Sequence, residues 1–341
     1  MRPSRLVDRY SRMATDMRVS LTDRCTLRCA YCMPPEGLPW LPRAELLTDD
    51  EMVRLVAVAV SLGVTAVRLT GGEPLLRPGA PDLVRRLAAL RPRPELSLTT
   101  NGLLLRRDAA ALRAAGLDRV NVSLDTLDPA RFKAITFRDR HPDVLAGLEA
   151  ARSARLEPIK INAVLLRGVN DDEAVPLLRW SLESGYALRF IEQMPLDAQH
   201  AWDRTQMVTA DEILAALSAA FRLSPVPLPG RGSAPAETWR VEDGPGRAHW
   251  TLAPPTVGII GSVTRPFCAA CDRIRLTADG QVRNCLFART ESDLRTPLRA
   301  GASDNELAAR MLAAVHTKLP GHGIDNPDFL QPTRPMSAIG G

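Results

Sequence analysis

The chain has 341 residues, of which 45% are hydrophobic and 24% are charged, and its 44 basic and 39 acidic residues give a net charge of +5. This composition is that of a folded globular protein and excludes disorder for the bulk of the chain. No apolar run approaches the ~18 residues that cross a bilayer, and the N-terminus lacks the apolar core of a signal peptide, so we expect a cytoplasmic protein without a membrane partner. The mild positive charge is far from a dense basic stripe, which argues against nucleic acid and favours a small anionic ligand.

The first two thirds of the chain alternate short β-rich runs with helical stretches. Residues 1–16 are polar and are predicted to be a flexible lead-in. The predicted strands cover residues 17–22, 66–72, 95–100, 119–125, 159–166 and 188–194. Predicted helices cover residues 48–62, 82–90, 107–115, 141–155 and 171–184, and the first carries a capping box at Thr48 and Glu51. Six βα units in series predict an α/β fold of parallel strands, and because the count falls short of eight we predict an open (βα)6 three-quarter barrel of the TIM type over residues 17–221.

The chain changes character after about residue 221. Segments rich in Pro and Gly predict irregular surface structure, and we find no functional interpretation for residues 229–249. Short strands near 257–260, 273–277 and 281–287 and helices near 291–299 and 303–318 follow. We therefore predict a C-terminal α+β region over residues 222–341 that caps the open side of the barrel.

Six cysteines form two groups of three, at Cys25, Cys29 and Cys32 and at Cys268, Cys271 and Cys285. Each group has an odd count, so local disulfides would leave one thiol over, and three thiolates in a tight loop suggest a metal site with one open position. Iron–sulfur clusters take cysteine thiolates, normally four for each [4Fe–4S] unit, so three would leave one iron free for another ligand. The alternative is zinc with a histidine as fourth ligand, for which the chain offers His200, His249, His316 and His322.

The sequence around the first three cysteines, "SLTDRCTLRCAYCMPPEG", resembles the signature of the radical S-adenosylmethionine (radical SAM) superfamily. Within that superfamily, the "YCMP" motif, the second group in "CAACDRIRLTADGQVRNCLF" and the terminal Gly-Gly resemble the GTP 3′,8-cyclase family of molybdenum cofactor biosynthesis. The resemblance covers residues 17–341. It implies two [4Fe–4S] clusters on the six cysteines, with the second cluster in the C-terminal region.

The resemblance implies a lyase that takes GTP and SAM and carries out the first step of molybdenum cofactor (molybdopterin) biosynthesis. A 5′-deoxyadenosyl radical would remove the ribose 3′ hydrogen of GTP, and C3′ would then attack guanine C8 to give (8S)-3′,8-cyclo-7,8-dihydroguanosine 5′-triphosphate. The implied partners are an electron donor and cyclic pyranopterin monophosphate synthase, which would receive the product. A homodimer is compatible with the resemblance.

The same resemblance assigns residues to each ligand. SAM would contact Tyr31, Gly72, Ser123 and Met194. GTP would contact Arg18, Arg68, Thr99, Lys160, Arg273, Ile274 and Arg275. Gly340 and Gly341 would thread into the active site in a supporting role.

The residues themselves support part of this assignment. Arginine forks and lysine suit phosphate oxygens. Lys160 lies between Ile159 and Ile161, and if these two face the helices, Lys160 points into the barrel. The structural alternatives are that Lys160 reaches a rim, that residues 71–74 form a simple strand-to-helix turn, and that the tail is a frayed terminus.

Two other functions remain as alternatives. A peptide-modifying radical SAM maturase would share the first cysteine group, but such enzymes usually carry more C-terminal cysteines, and a peptide would not explain Arg18, Arg68 and Lys160. A metal-stabilised scaffold protein would hold redox-inert zinc and would not cleave SAM.

Overall fold

The computed structural model describes residues 5–227, 233–246, 249–250 and 254–340. Its strands are β1 Asp16–Ser20, β2 Ala66–Thr70, β3 Glu95–Thr100, β4 Arg119–Ser123, β5 Lys160–Val164, β6 Ala187–Ile191, β7 Leu223–Pro225, β8 Glu237–Val241, β9 Thr256–Ile260, β10 Arg273–Leu276, β11 Gln281–Arg283 and β12 Ser292–Asp293. Its α-helices are α1 Asp49–Ser61, α2 Ala80–Ala88, α3 Leu105–Ala114, α4 Pro129–Thr136, α5 His141–Ser153, α6 Ala174–Ser184, α7 Ala210–Ala220, α8 Arg295–Arg299, α9 Asp304–His316 and α10 Met336–Ile339. Part of the stretch 229–249, and Gly341, lie outside the described residues.

The sheet confirms the open barrel. The strand order is β12-β11-β10-β1-β2-β3-β4-β5-β6-β9-β8-β7, and β1 to β6 run parallel to one another. β12 and β7 end this order, and no pairing in the described part of the chain joins them. The six predicted strands are therefore confirmed, and each lies beside its neighbour in sequence.

The strands after residue 222 extend this sheet at both edges. β9 pairs in parallel with β6, and β10 pairs in parallel with β1. The antiparallel strands β8 and β11 are added beyond them. The boundary at residue 222 stays a prediction, because the two regions share one hydrogen-bonded sheet.

The predicted helices are also found, with ends shifted by a few residues. Thr48 and Glu51 form the predicted capping box of α1, since the Thr48 hydroxyl accepts from Glu51 N and the Glu51 carboxylate accepts from Thr48 N. Sequence reasoning missed α4, although Asp128 caps it and Pro129 begins it. It also missed α7, which has a capping box of its own at Thr209 and Glu212.

The structure differs from the predicted flexible lead-in over residues 5–15. Leu6 and Ala14 are buried in the core, and Leu6 N donates to Leu62 O at 3.2 Å. The buried carboxylate of Asp8 accepts from Arg12 Nε at 2.6 Å. The polar composition of residues 1–16 gave no indication of this packing, because the two apolar residues that anchor the segment lie eight positions apart.

Strand alternation separates the core from the barrel interior. The residues that pack against the helices are apolar and buried, and include Met17, Val19, Val67, Leu69, Leu96, Leu98, Val120, Val122, Ile161, Ala163, Leu188 and Phe190. Most of the alternate positions carry polar side chains and face inward, with Val164 and Ile191 among the apolar exceptions. Arg18 is in register with Arg68 on one side and with Arg275 on the other, so strand pairing itself places three guanidinium groups in one row. No α-helix in the described ranges has the length and hydrophobicity needed to cross a membrane.

Candidate active site

A cavity of about 250 Å³ lies inside the barrel, between the inner faces of the strands and the loops that carry the second cysteine group. Its lining includes predicted residues from every part of the chain, namely Arg18, Tyr31, Arg68, Thr99, Ser123, Met194, Cys268, Cys271, Arg273, Arg275 and Cys285. Other predicted residues do not line it, namely Cys25, Cys29, Cys32, Gly72, Lys160, Ile274 and Gly340. Ile274 packs in the hydrophobic core beside Met17, so only its backbone could approach a ligand.

The first cysteine group lies on a loop that is held against the end of α4. Arg28 N donates to Thr136 O and Ala30 N donates to Ile135 O, each at 2.9 Å. The three thiols are free and close enough to influence one another's ionisation. Burial raises the pKa of Cys25 to about 11 and that of Cys32 to about 12. A bound cation is therefore needed to hold these groups as thiolates, which is the chemistry of a metal or iron–sulfur site.

The second cysteine group lines the cavity directly. Its thiols also interact electrostatically, and Lys318 Nζ lies 3.3 Å from Cys271 Sγ. The ring of His322, which zinc would use, is already engaged: Nε2 is 3.1 Å from Ser262 O, and Nδ1 accepts from Ile324 N at 3.2 Å. Over the ranges that the structure covers, no three His, Cys, Asp or Glu side chains are grouped to hold a single metal ion. Three thiols without a fourth side-chain ligand fit a cluster that keeps one iron open.

A set of cations occupies the barrel interior. Burial and the neighbouring Arg18 hold the pKa of Arg68 well below its usual range. Burial, Arg189, Arg119 and Arg68 lower the pKa of Lys160 to about 7. The buried Nε atoms of Arg18, Arg68 and Arg273 have no hydrogen-bond partner among the described residues. Buried guanidinium nitrogens without acceptors are costly, so this arrangement suits an anion with many oxygens.

Tyr31 and Asp125 form a buried polar pair at the cavity wall. Tyr31 donates its hydroxyl to Asp125 Oδ2 at 2.8 Å, and Val164 N donates to Asp125 Oδ1 at 2.9 Å. Burial raises the pKa of Asp125 to about 6. The pair joins the first cysteine loop to the end of β4 and thereby fixes Tyr31 beside the cavity.

Glu73 ties the loops after β2 and β3 together. Its fully buried carboxylate accepts from Thr100 Oγ1 and Asn101 N, each at 2.8 Å, and burial raises its pKa to about 7. Gly72, the preceding residue, lies against the first cysteine loop, where an added Cβ would come within 2.2 Å of Arg24 O. This backbone contact alone requires glycine, so the predicted contact of Gly72 with SAM stays a prediction.

The C-terminal tail enters the barrel. Ile339 is fully buried, and its carbonyl accepts from Ser20 Oγ at 2.8 Å. The Gly340 carbonyl accepts from the guanidinium of Arg275, and the Ser337 N–H donates to the Cys32 thiol. The described tail is thus packed between the first cysteine loop and the cations rather than frayed.

Sequence reasoning missed several cavity residues. Asn162 and Arg189 are in register with each other, and Asn162 is also in register with the predicted Ser123. Both are polar residues at alternate positions of predicted buried strands, and that signal could have found them. Asp125, two residues after Ser123, carries the same signal, whereas Lys318 comes close to the site only through the fold. His322, which the sequence offered as a zinc ligand, also lines the cavity.

Two family models match the chain. The model described as "Radical SAM superfamily" matches residues 19–181, and the one described as "Molybdenum Cofactor Synthesis C" matches residues 186–324. Among solved structures, Streptococcus suis SuiB bound to S-adenosylmethionine is similar with a TM-score of 0.55 at 12% identity, over 84% of this chain and 65% of that chain. SuiB bound to the precursor peptide SuiA is similar with a TM-score of 0.59 at 13% identity, over 93% of this chain and 68% of that chain. At these identities the two structures show a shared fold.

Curated relatives are far more similar. The GTP 3′,8-cyclase of Streptomyces coelicolor is 63% identical over 98% of this chain and 96% of its own length. That of Mycolicibacterium smegmatis is 59% identical over 98% of this chain and 92% of its own length. The chain therefore belongs to the GTP 3′,8-cyclase family of radical SAM enzymes.

Proposed function

We propose that this chain converts GTP and SAM into 3′,8-cyclo-7,8-dihydroguanosine 5′-triphosphate, methionine and 5′-deoxyadenosine, as the first step of molybdenum cofactor biosynthesis. The observation that carries the proposal is the single cavity that brings together a row of buried arginines and the second cysteine group, with the first cysteine loop beside it. When bound, a reduced [4Fe–4S] cluster on Cys25, Cys29 and Cys32 supplies the electron that cleaves SAM to a 5′-deoxyadenosyl radical.

The chain's own residues would orient SAM. Tyr31 is fixed by Asp125 and can offer its backbone to the adenine, while Ser123 can hydrogen-bond polar groups of SAM. Met194 lines the cavity and can pack on the adenine. Gly72 keeps its loop close to the cysteine loop, which lets the SAM amino group approach the backbone.

Arginines and one lysine would bind the triphosphate. Arg18, Arg68 and Arg275 share a row across three strands, and Arg273 and Lys160 extend the positive field. Thr99 adds a hydroxyl on the same inner face. Phosphate oxygens would supply hydrogen-bond acceptors to guanidinium groups whose Nε atoms lack them.

The second cysteine group would orient the guanine. Cys268, Cys271 and Cys285 line the cavity and would hold a [4Fe–4S] cluster with one iron left open to a purine nitrogen. The ribose would then lie between SAM and guanine, and catalysis would consist mainly of positioning and exclusion of water. Gly340 and Gly341 would complete the wall of the site, although Gly341 lies outside the described residues.

The balance of the reaction defines further partners. The product is an isomer of GTP, so the hydrogen that leaves C3′ is replaced by one proton and one electron, and SAM cleavage takes a second electron. An external electron donor must therefore deliver two electrons in each cycle. The product would pass to cyclic pyranopterin monophosphate synthase, and the cytoplasmic location and the homodimer remain proposals.

An anaerobic assay tests this function. Protein reconstituted with iron and sulfide is incubated with dithionite, SAM and GTP and analysed by mass spectrometry. We expect 5′-deoxyadenosine together with a GTP isomer of unchanged mass and shifted retention, and both should vanish in Cys25→Ala. Cys285→Ala should lose about half of its iron and should no longer form the GTP isomer.

The same assay separates the alternatives. If 5′-deoxyadenosine forms while GTP is unchanged, the substrate is wrong and a peptide-modifying activity returns as the alternative. If neither forms in protein that carries two four-iron clusters, the proposed function fails.

A further inference from the structure

Lys318 is a buried lysine that contacts the second cysteine group directly. It follows α9, and only 4% of its surface is exposed. Its Nζ lies 3.3 Å from Cys271 Sγ, 3.1 Å from Cys271 O and 2.9 Å from Arg273 O. The three N–H donors of the ammonium thus have three acceptors, all from residues 271–273.

The thiol is the one group among these acceptors that can carry a full negative charge. No carboxylate in the described part of the chain lies within ion-pair distance of Lys318, and the two carbonyls offer only dipoles. A buried ammonium is costly unless it is paired with an anion. Only three of the chain's 44 basic residues are lysines, and the others are arginines. A lysine at this buried position is therefore unusual for the chain.

The first cysteine group has a different environment. Cys25 Sγ is 3.8 Å from the neutral amide of Asn101, and the Cys32 thiol accepts from the backbone N–H of Ser337. Within the described residues, no cationic side chain donates a hydrogen bond to these thiols. A cation also lies near the first group, since Arg28 Nη1 donates to the carbonyls of Cys25 and Leu27, each at 2.8 Å. The two groups therefore differ in a positive charge that is hydrogen-bonded directly to a cysteine sulfur.

We propose that Lys318 is a positioning residue for the second iron–sulfur cluster, and that its hydrogen bond to Cys271 raises the reduction potential of that cluster relative to the first. Reduction adds one negative charge to the cluster, and a positive charge at a ligand sulfur stabilises the reduced form. The inference rests on the proposed cluster at Cys268, Cys271 and Cys285, but not on GTP as substrate. It implies that an electron given to the chain resides preferentially on the second cluster.

A redox titration tests the proposal without SAM or GTP. The triple substitution of Cys25, Cys29 and Cys32 by Ala removes the first cluster, so the signal of the second can be followed alone. Reconstituted protein is titrated anaerobically with dithionite and followed by electron paramagnetic resonance. At the potential where this parent is half reduced, Lys318→Met should lower the ratio of reduced to oxidised cluster about tenfold, which is about 59 mV for one electron.

Matched variants separate charge from packing. Lys133→Met removes an exposed lysine whose Nζ lies 3.5 Å from Asp139, and it should leave the ratio unchanged. Lys318→Arg keeps the charge and Lys318→Gln keeps a neutral donor, so the first should resemble the parent and the second should resemble Lys318→Met. If Lys318→Met fails to assemble its cluster, the comparison of Lys318→Arg with Lys318→Gln still tests whether the charge sets the reduction potential.

Equal potentials in Lys318→Arg, Lys318→Gln and the parent, at full iron content, would overturn the proposal and leave Lys318 as a cap for two carbonyls. Failure of the proposed function would be distinct, since it would show as intact clusters and normal potentials without GTP turnover.

Discussion

Ser20, at the end of β1, donates a 2.8 Å hydrogen bond to the carbonyl of Ile339, which lies 319 residues further along the chain. The next carbonyl, that of Gly340, accepts from Arg275 on β10. β1 and β10 are paired neighbours, so the tail is attached to two adjacent strands of the sheet. The end of the chain is thereby held next to the cations and to the first cysteine loop.

Gly340→Ala should displace the tail. An added Cβ would lie 2.3 Å from Ser20 Oγ and 2.7 Å from Thr70 Cγ2, and Gly340 has a φ of +86°. We expect both clusters to assemble and the yield of cyclised GTP to fall at least tenfold, and Gly341→Ala should also impair cyclisation. Gly301→Ala is a matched control, since Gly301 has a φ of +85° with nothing within 4 Å. Full turnover by Gly340→Ala would show that the tail has no role.

Arg68→Met should weaken GTP binding and stabilise the ligand-free protein. Loss of charge-assisted hydrogen bonds worth about 1.5–3 kcal/mol corresponds to a roughly 10- to 100-fold higher Kd. The unfolding temperature without GTP should rise, because a buried cation beside Arg18 is removed. Anaerobic calorimetry measures both quantities, with Arg85→Met, an exposed arginine, as control. A lower unfolding temperature with unchanged GTP affinity would place Arg68 in a purely structural role.

GTP affinity should fall as the pH rises above 7. Lys160 has a pKa of about 7 in the ligand-free protein, whereas a lysine beside phosphates favours its charged form, so GTP binding takes up a proton. The Kd should therefore rise between pH 7 and pH 9, by at most tenfold for each pH unit. In Lys160→Met the Kd should be higher at pH 6.5 and should depend less on pH.

The same lysine affects stability in the opposite direction. The unfolded chain keeps Lys160 protonated up to about pH 10.4, while the folded chain loses this proton near pH 7. The free energy of unfolding of the ligand-free protein should therefore increase as the pH rises between these values. This increase should be absent in Lys160→Met. Urea unfolding measures this difference. The assignment would be contradicted if the free energy of unfolding changed with pH in the same way for both proteins.

Arg12→Met should destabilise the protein and loosen the second cysteine group. Arg12 Nη1 donates to Cys268 O at 2.8 Å and to Pro320 O at 2.9 Å, and Arg12 Nε pairs with the buried Asp8. Loss of one partner of a buried ion pair costs about 3–5 kcal/mol. Denaturant unfolding should show this loss, and iron release on exposure to air should be faster. Asp8→Ala together with Arg12→Met should cost less than the sum of the single changes; strict additivity would mean that the pair does not interact.

Local patterns were sufficient for the barrel itself. The alternation of apolar residues in strands such as 119–125, and the capping box at Thr48 and Glu51, depend on neighbours a few positions apart. Cysteine spacing is equally local, so the two triads could be read directly. Strand alternation is a local pattern too, and by itself it favours an inward direction for the side chain of Lys160.

Long-range pairing was beyond the reach of those patterns. Nothing near residue 273 predicts that β10 will join β1, or that Lys318 will reach Cys271, because both contacts depend on which sheet edges and which thiols remain without partners once the barrel has formed. The packing of residues 5–15 and of the tail follows the same rule. Sequence periodicity thus sets the elements and the direction of their side chains, whereas contacts between distant segments are selected by burial and by the hydrogen bonds that only the assembled sheet leaves open.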